Sequence, residues 1–275
     1  TPSGAPKLKV KPAKVAIVGA NVSANNAIRT PQFWCLWVIL FCNITAGIGI
    51  LENAAPMVQD YYPALTAAAA AGFVGLLSLA NMGGRFIWSS ASDVIGRKNI
   101  YMVYLGVGLI FYFVVASAGH TRLALFVVST LILLTFYGGG FATIPAYLRD
   151  LFGVYQVGAI HGRLLTAWSA AGVAGPLIIN MVVERQASRG NAGPELYQLS
   201  LYIMCVLLAV GLVANILVKP VHKKWFEDPD KVAAKVEADR ASARESATTA
   251  SGSGAGSIHA AVAAVLALVI TCLLY

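Results

Sequence analysis

One arginine lies within an otherwise apolar stretch of the sequence. Arg85 follows an apolar, small-residue run that extends from Thr66 to Ala80, and it precedes Asp93, the start of a charged turn, by eight residues. At about 1.5 Å of helical rise per residue, this spacing puts Arg85 about 12 Å from the turn, inside the hydrocarbon of a membrane. Because a charge there costs roughly 2.5–3.5 kcal/mol on insertion scales, we expect Arg85 to face a cavity or a partner.

The charged turn has a composition suited to a tight loop between two membrane helices. Gly96 permits the turn, and Asp93 is predicted to cap the next helix or to meet a helix N-terminus. Arg97 and Lys98 would hold the loop in the cytoplasm, because cytoplasmic loops are enriched in cations. A loop that only sets topology is the alternative.

The composition indicates a multi-pass membrane protein. Of the 275 residues, 58% are hydrophobic and 12% are charged, about half the charged fraction of soluble domains. The net charge of +8 falls mostly beside apolar runs, which favours a role in topology over nucleic-acid binding. The sequence shows neither a nucleophile–base pair nor a phosphate-binding loop, and its four cysteines are scattered singly. It therefore predicts no enzyme, no metal site and no cofactor.

Apolar runs of about 20 residues predict an all-α membrane protein built as a six-helix bundle. Short connections make neighbouring spans antiparallel, and the basic residues place both ends of the bundle in the cytoplasm. The plasma membrane is the first expectation and an organelle membrane the second. The predicted spans are 32–56, 64–90, 99–118, 122–148, 157–183 and 197–218.

Flanking segments divide the chain into four regions. Residues 1–30 are predicted to be a basic, mostly unstructured cytoplasmic linker, and residues 31–218 the six-helix block. Residues 219–257 read as a cytoplasmic charged helix followed by a Ser/Gly linker. Residues 258–275 carry no charge and are long enough for a seventh hydrophobic helix. Because the sequence begins at Thr1 without methionine, we expect it to be part of a longer protein.

Glycine and proline residues mark two helices for bending. Gly139, in the run 138–140, and Pro145 predict a pliable fourth span suited to a gate, with a passive kink as the alternative. In the fifth span, Gly175 would allow close backbone approach and Pro176 would free a carbonyl. Plain packing accounts for this pattern equally well.

The Asp-x-x-Gly-Arg-Lys loop at 93–98 resembles the loop signature of the major facilitator superfamily, where it latches one of two alternating states. Six spans with this loop resemble the C-terminal half of a twelve-helix transporter. The chain more closely resembles the oxalate/formate antiporter family, related to monocarboxylate porters, over residues 28–220. That resemblance rests on 29–34 (RTPQFW), 43–51 (NITAGIGIL), 79–85 (LANMGGR), 147–153 (YLRDLFG) and 162–168 (GRLLTAW).

This resemblance implies a site. Members bind a carboxylate with an arginine at the position of Arg85; a side chain extended to lipid headgroups is the alternative. Asn81 stands where proton-coupled porters have an aspartate. Because its side chain is an amide, it cannot carry a proton. Trp168 aligns with a lysine of oxalate-transporting members, which favours a monoanion unless the indole only packs. Apart from the resemblance, Glu52 in the first span either carries a proton, pairs across the cavity or lies at the outer interface.

Together these features predict part of a secondary transporter for small organic anions, foremost monocarboxylates, that works by alternating access. Its expected partners are the anion, the lipid bilayer and an N-terminal six-helix half of the same protein. The alternative is a non-transporting membrane sensor or assembly module built on a transporter half.

Overall fold

The computed structural model describes residues 21–252, and the predicted seventh hydrophobic helix at 258–275 lies outside them. The described residues are helical, with one isolated β-bridge between Val22 and Phe226. The helices are α1 (Ala24–Ala27), α2 (Pro31–Tyr61), α3 (Ala67–Ile95), α4 (Arg97–Ala118), α5 (Leu123–Phe152), α6 (Val157–Leu164), α7 (Thr166–Ala187), α8 (Glu195–Leu217) and α9 (Pro229–Gly252), with a 3₁₀ turn at Lys223–Trp225.

The chain divides into two compact units. Among the described residues, 21–227 form the unit that contains α1 to α8, and 228–252 form the unit that contains α9. The first unit carries six helical segments long and apolar enough to cross a membrane, with α6 and α7 together forming the fifth. The predicted all-α six-helix fold is therefore confirmed for the described part of the chain.

Side-chain caps and glycines set the ends of the long helices. The hydroxyl of Thr30 accepts from the amide of Phe33 (3.3 Å), and Thr66 starts α3 in the same way. Gly96 ends α3 with a φ of 92°, a left-handed value that favours glycine. Helix α2 begins at Pro31, one residue before the predicted start of the first span, and continues through Pro56 to Tyr61, beyond the predicted end at residue 56.

The fifth span is interrupted where the sequence predicts continuity. The structure has α6 up to Leu164 and α7 from Thr166, with Leu165 between them. The hydroxyl of Thr166 donates to the carbonyl of Arg163 (2.8 Å) and accepts from the Trp37 indole N–H (3.0 Å). Because threonine bonds to a preceding carbonyl bend helices, this local polar contact accounts for the interruption better than Pro176, through which α7 runs on.

The helices pack in a defined order. α3 packs along α5, α2 along α7 and α8, and α4 along α8 and α5. In the most apolar stretch of each span, 67% of α2 and 56% of α5 is buried, against 22% of α3 and of α6–α7. Helices α2 and α5 therefore form the centre of the unit, whereas α3 and α7 present most of their surface outward.

Residues 21–30 differ from the predicted unstructured linker. The Val22 amide donates to the carbonyl of Phe152 (2.9 Å), and the Glu227 amide donates to that of Asn21 (2.8 Å). The side chain of Asn21 accepts from the amides of Val154 (3.1 Å) and Tyr155 (3.2 Å). This segment satisfies backbone groups left open where α5 ends, which explains why it is ordered.

Candidate functional site

Arg85, Phe141 and Trp168 lie at the same depth in three different helices. Arg85 is ten residues from the end of α3, Phe141 is eleven from the end of α5, and Trp168 is eleven from the start of α6. These separations correspond to about 15–17 Å of helix. All three are measured from the end of the unit that carries the Asp93 turn, called the loop end below. They therefore lie inside the spans, about a third of the span length from the loop end, and this depth is called mid-span below.

The three side chains form a continuous contact. The guanidinium carbon of Arg85 lies 5.2 Å from the centroid of the Phe141 ring, within the range of a cation–π interaction. The Phe141 ring meets the Trp168 indole edge-on, with centroids 4.5 Å apart and an interplanar angle of 62°. The structure thus brings together two predicted site residues, Arg85 and Trp168, through a third that the sequence analysis missed.

Arg85 has no ion-pair or hydrogen-bond partner among residues 21–252. Its side chain is half-buried and rests on Phe141 of the neighbouring helix rather than extending towards a membrane surface. An unpaired charge at this depth is costly, and the assignment of Arg85 as an anion-binding residue, with contact to lipid headgroups as the alternative, stays a prediction.

Two asparagines flank the same part of α5. Asn81 is one turn before Arg85 on α3, and its side-chain oxygen is buried without a hydrogen-bond partner in the described structure. Asn43 on α2 is 4% exposed, and its side-chain nitrogen is likewise unpaired. A Cβ added to Gly138 would lie 2.5 Å from the Asn81 oxygen, and one added to Gly140 would lie 2.0 Å from the Asn43 nitrogen. The site thus has a polar side with unused hydrogen-bonding capacity.

The glycine run of α5 allows three neighbouring helices, α2, α3 and α4, to approach its backbone. A Cβ at Gly139 would lie 2.7 Å from the Trp88 Cβ and 2.8 Å from the Tyr104 hydroxyl. Helix α5 remains continuous through the run, so close packing accounts for these glycines in this conformation. A gating role for Gly139 and Pro145 stays a prediction.

Prolines free one carbonyl next to the site and one across from it. Pro145 lacks the amide that would bond to the carbonyl of Phe141, and Pro176 leaves that of Gly172 without its helical donor. At Gly175, a Cβ would lie 2.8 Å from the carbonyl oxygen of Thr45. Gly175 therefore brings α7 against α2. Pro145 leaves the backbone carbonyl of Phe141 as a free acceptor at the site.

At the loop end, the charged turn is fully engaged. Arg97 pairs with Asp93 and contacts Asp150 of α5 (3.6 Å), and it also donates to the carbonyl of Ser92 (2.8 Å). Asp93 therefore serves Arg97 and does not cap α4, which has no side-chain cap. This corrects the prediction, because an arginine one turn later offers the carboxylate a stronger, charge-assisted partner than a backbone amide.

Lys98 joins the turn to the last span. Its ammonium donates to the carbonyls of Ile216 (3.0 Å) and Val218 (2.7 Å). The Asn215 side chain donates back to the carbonyl of Lys98 (3.0 Å), and its oxygen accepts from the Tyr147 hydroxyl (3.2 Å). The turn therefore ties α3 and α4 to α5 and α8, a larger structural role than holding a loop at the membrane surface.

The described residues contain no group of three or more His, Cys, Asp or Glu side chains that could hold a metal ion. Cys35, Cys42 and Cys205 are free thiols, and the latter two are buried. The chemistry on offer at mid-span is one guanidinium, two amides and aromatic surface. This set includes no nucleophile, and its role as an anion site stays a prediction.

Six apolar helices long enough to cross a membrane define a multi-pass membrane protein. The chain belongs to the Major Facilitator Superfamily, whose family profile matches residues 36–274. The superfamily resemblance inferred from the 93–98 loop is therefore confirmed.

Two curated proteins are similar to this chain. One is the oxalate:formate antiporter of Oxalobacter formigenes, 26% identical over 165 residues, which cover 59% of this chain and 38% of that protein. The other is the uncharacterized MFS-type transporter YhjX of Escherichia coli (strain K12), 24% identical over 158 residues, which cover 58% of this chain and 39% of that protein. The chain thus matches about two fifths of the length of these relatives.

Proposed function

We propose that the complete protein carries small organic anions across the membrane, foremost monocarboxylates, with Arg85 as the anion anchor. The observation that carries this proposal is the mid-span guanidinium that rests on Phe141 and has no acidic partner in the described structure. An anionic substrate would remove the cost of that unpaired charge each time it binds.

The contact with Phe141 prepares Arg85 for a carboxylate. A guanidinium held over an aromatic face is restricted in orientation, while its N–H donors remain free to bond in its own plane. Two parallel N–H···O bonds to one carboxylate give both affinity and geometric selection. The unpaired side-chain nitrogen of Asn43 supplies a further donor on the polar side of α5, whereas the unpaired side-chain oxygen of Asn81 is an acceptor and does not bond to a carboxylate.

The opposite side of the site favours a single negative charge. Trp168 and Phe141 present aromatic surface, and Arg85 is the one cation that the described spans place at this depth. A dicarboxylate would leave its second charge without a counter-ion in a medium of low dielectric constant. A monocarboxylate with a short apolar group suits one guanidinium facing two rings.

Alternating access requires a second wall. The outward faces of α3 and α7 are the least buried of the six spans, and they carry exposed side chains such as Phe86 and Val173. In this superfamily a site near the midplane lies between two related halves. An N-terminal six-helix half packed on these faces would close the cavity around Arg85, and the Asp93–Arg97 pair would then latch one of its two states.

The test is uptake by the full-length protein in proteoliposomes. Labelled formate, acetate and oxalate would be offered to wild type and Arg85→Gln, with Arg122→Gln as the control because Arg122 is exposed at the far end of the unit. We expect Arg85→Gln to lose at least about tenfold of its monocarboxylate uptake, since a charged hydrogen bond contributes about 1.5–3 kcal/mol. Undiminished transport of every anion by Arg85→Gln would overturn the proposal.

A further inference from the structure

Glu52 is an acidic side chain within a membrane-spanning helix. It lies nine residues before Tyr61, the last residue of α2, or about 13 Å from that end of the helix. The side chain is exposed on the surface of the unit, and no ion pair or hydrogen bond engages it among residues 21–252. By contrast, Asp60 on the same helix accepts from the Tyr197 hydroxyl (2.7 Å).

The backbone around Glu52 is more polar than a regular helix. Pro56 removes the amide that would bond to the carbonyl of Glu52, although α2 continues past it. The Asn53 side chain donates to the carbonyl of Gly49 (3.1 Å) in the preceding turn. A free carbonyl, an amide and a carboxylate thus share one turn of helix, where water can hydrate them.

Tyr137 connects this turn with the anion site. Its ring packs on Gly47 of α2, where an added Cβ would lie 2.3 Å from the ring, and it interacts electrostatically with both Arg85 and Glu52. Counted along their helices from the loop end, the three residues lie about 15, 22 and 31 Å deep in the order Arg85, Tyr137, Glu52. The carboxylate and the guanidinium therefore act on the same tyrosine from opposite sides.

Other ionisable groups near this depth are already accounted for. Helices α3, α5, α7 and α8 pack against α2, and from the depth of Arg85 outward they carry Arg85, Tyr137, Glu184, Arg185, Glu195, Tyr197, Tyr202 and Cys205. Glu195 is exposed at the start of α8, and the Cys205 thiol donates to the carbonyl of Leu109 (3.7 Å). Tyr197 is bonded to Asp60, and Tyr202 packs against Phe113. Glu184 and Arg185 are exposed near the end of α7. Glu52 is thus the acid that shares a neighbour with the anion anchor.

We propose that Glu52 carries the proton that accompanies the anion, which rests on the proposed function of Arg85. In the empty site the negative charge of Glu52 and the positive charge of Arg85 sum to zero, without an ion pair between the two side chains. Arrival of a monocarboxylate adds one negative charge, and a proton that binds a carboxylate oxygen of Glu52 restores neutrality. The anion and the proton are then released on the other side, so that one of each crosses the membrane per cycle.

This arrangement makes anion binding and protonation reciprocal. If the anion favours the protonated form of Glu52, protonation must raise the affinity for the anion by the same factor. Anion affinity should therefore rise as pH falls. Glu52→Gln mimics the neutral side chain permanently, so this variant should bind the anion well at every pH and carry no proton.

The experiment separates exchange from accumulation in proteoliposomes that contain the full-length chain. Exchange of labelled formate for internal formate at equal pH reports anion movement alone. Accumulation driven by an alkaline interior, with the membrane potential clamped to zero, reports proton coupling. The variants are Glu52→Gln, the conservative Glu52→Asp, and the control Glu184→Gln at an exposed glutamate outside the site.

We expect Glu52→Gln to keep formate exchange within about threefold of wild type and to lose all accumulation above protein-free vesicles. Glu52→Asp should retain part of the accumulation, and Glu184→Gln all of it. Accumulation by Glu52→Gln equal to that of wild type would overturn the inference, as would equal loss of exchange and accumulation. Wild type that exchanges formate without responding to pH would also overturn it while leaving the anion proposal standing, whereas absence of all anion transport would refute the proposed function itself.

Discussion

The loop end and the mid-span depth treat an arginine in opposite ways. Arg97 at the loop end contacts two carboxylates and a carbonyl, whereas Arg85 at mid-span lies over the face of Phe141 and pairs with no carboxylate in the described structure. A cation that pairs with carboxylates of its own chain serves the structure. A cation without a carboxylate partner, at a depth where charge is costly, is instead suited to pair with a bound anion.

This contrast gives the largest predicted effect. Arg85→Gln should reduce monocarboxylate uptake by about 10- to 100-fold, the loss of one or two charge-assisted hydrogen bonds. The same change should leave the melting temperature unchanged or raise it, because it removes an uncompensated charge from the apolar part of α3. Uptake and thermal unfolding of the purified full-length protein would be measured in parallel. A variant that loses stability together with uptake would break the contrast, since it would show that Arg85 also serves the fold.

Arg97→Gln tests the other side of the comparison. It leaves Asp93 and Asp150 without their common partner, and we expect a loss of about 1–2 kcal/mol in the free energy of unfolding. Asp93 is 67% exposed and Asp150 48% exposed, so solvent limits the effect. A double-mutant cycle of Arg97→Gln with Asp150→Asn, measured by unfolding in detergent, isolates the contact between α4 and α5. A coupling energy of zero would show that the Arg97–Asp150 contact does not stabilise the fold.

Trp168→Lys tests whether having Arg85 as the single cation at the site makes the protein prefer a monocarboxylate to a dicarboxylate. A second cation across Phe141 would give a dicarboxylate a partner for its other carboxylate. We expect the ratio of oxalate to formate affinity to rise about tenfold, equivalent to 1.4 kcal/mol. The measurement is competition of each unlabelled anion against labelled formate. Trp168→Leu is the control, because it removes the indole without adding charge; an equal shift in this variant would assign the effect to lost volume instead.

The sequence allowed much of the fold to be predicted, because long apolar runs and a glycine at a turn act locally. The six spans and the left-handed Gly96 follow from such signals. The interruption at Leu165 does not, since it depends on the indole of Trp37 reaching Thr166 from another helix. The order of residues 21–30 likewise depends on backbone groups at the end of α5 and on Glu227, which are distant in sequence.

The candidate site was predictable in part for the same reason. Arg85 stands out because a charge in an apolar run is conspicuous in any sequence. Phe141 does not stand out, because a phenylalanine in a membrane helix is ordinary until a guanidinium is seen over its ring. Its position after Gly140 and one turn before Pro145 was the available signal. Asp93 was assigned as a cap because sequence spacing alone does not rank Arg97 against a backbone amide as its partner.

Phe141 gives the smallest predicted effect and sharpens the account of how Arg85 is held. Phe141→Leu keeps an apolar side chain but removes the ring, and with it a cation–π interaction of about 0.5–2 kcal/mol. We expect the KM for formate to rise about 3- to 10-fold with little change in the maximal rate. The ring orients Arg85 equally in the bound state and in the transition state of transport, so its loss weakens binding alone. Phe141→Tyr retains the ring face and should behave like wild type. If leucine and tyrosine raised KM equally, the ring face would have no part in positioning Arg85, and the shape of the residue alone would explain its place beside the guanidinium.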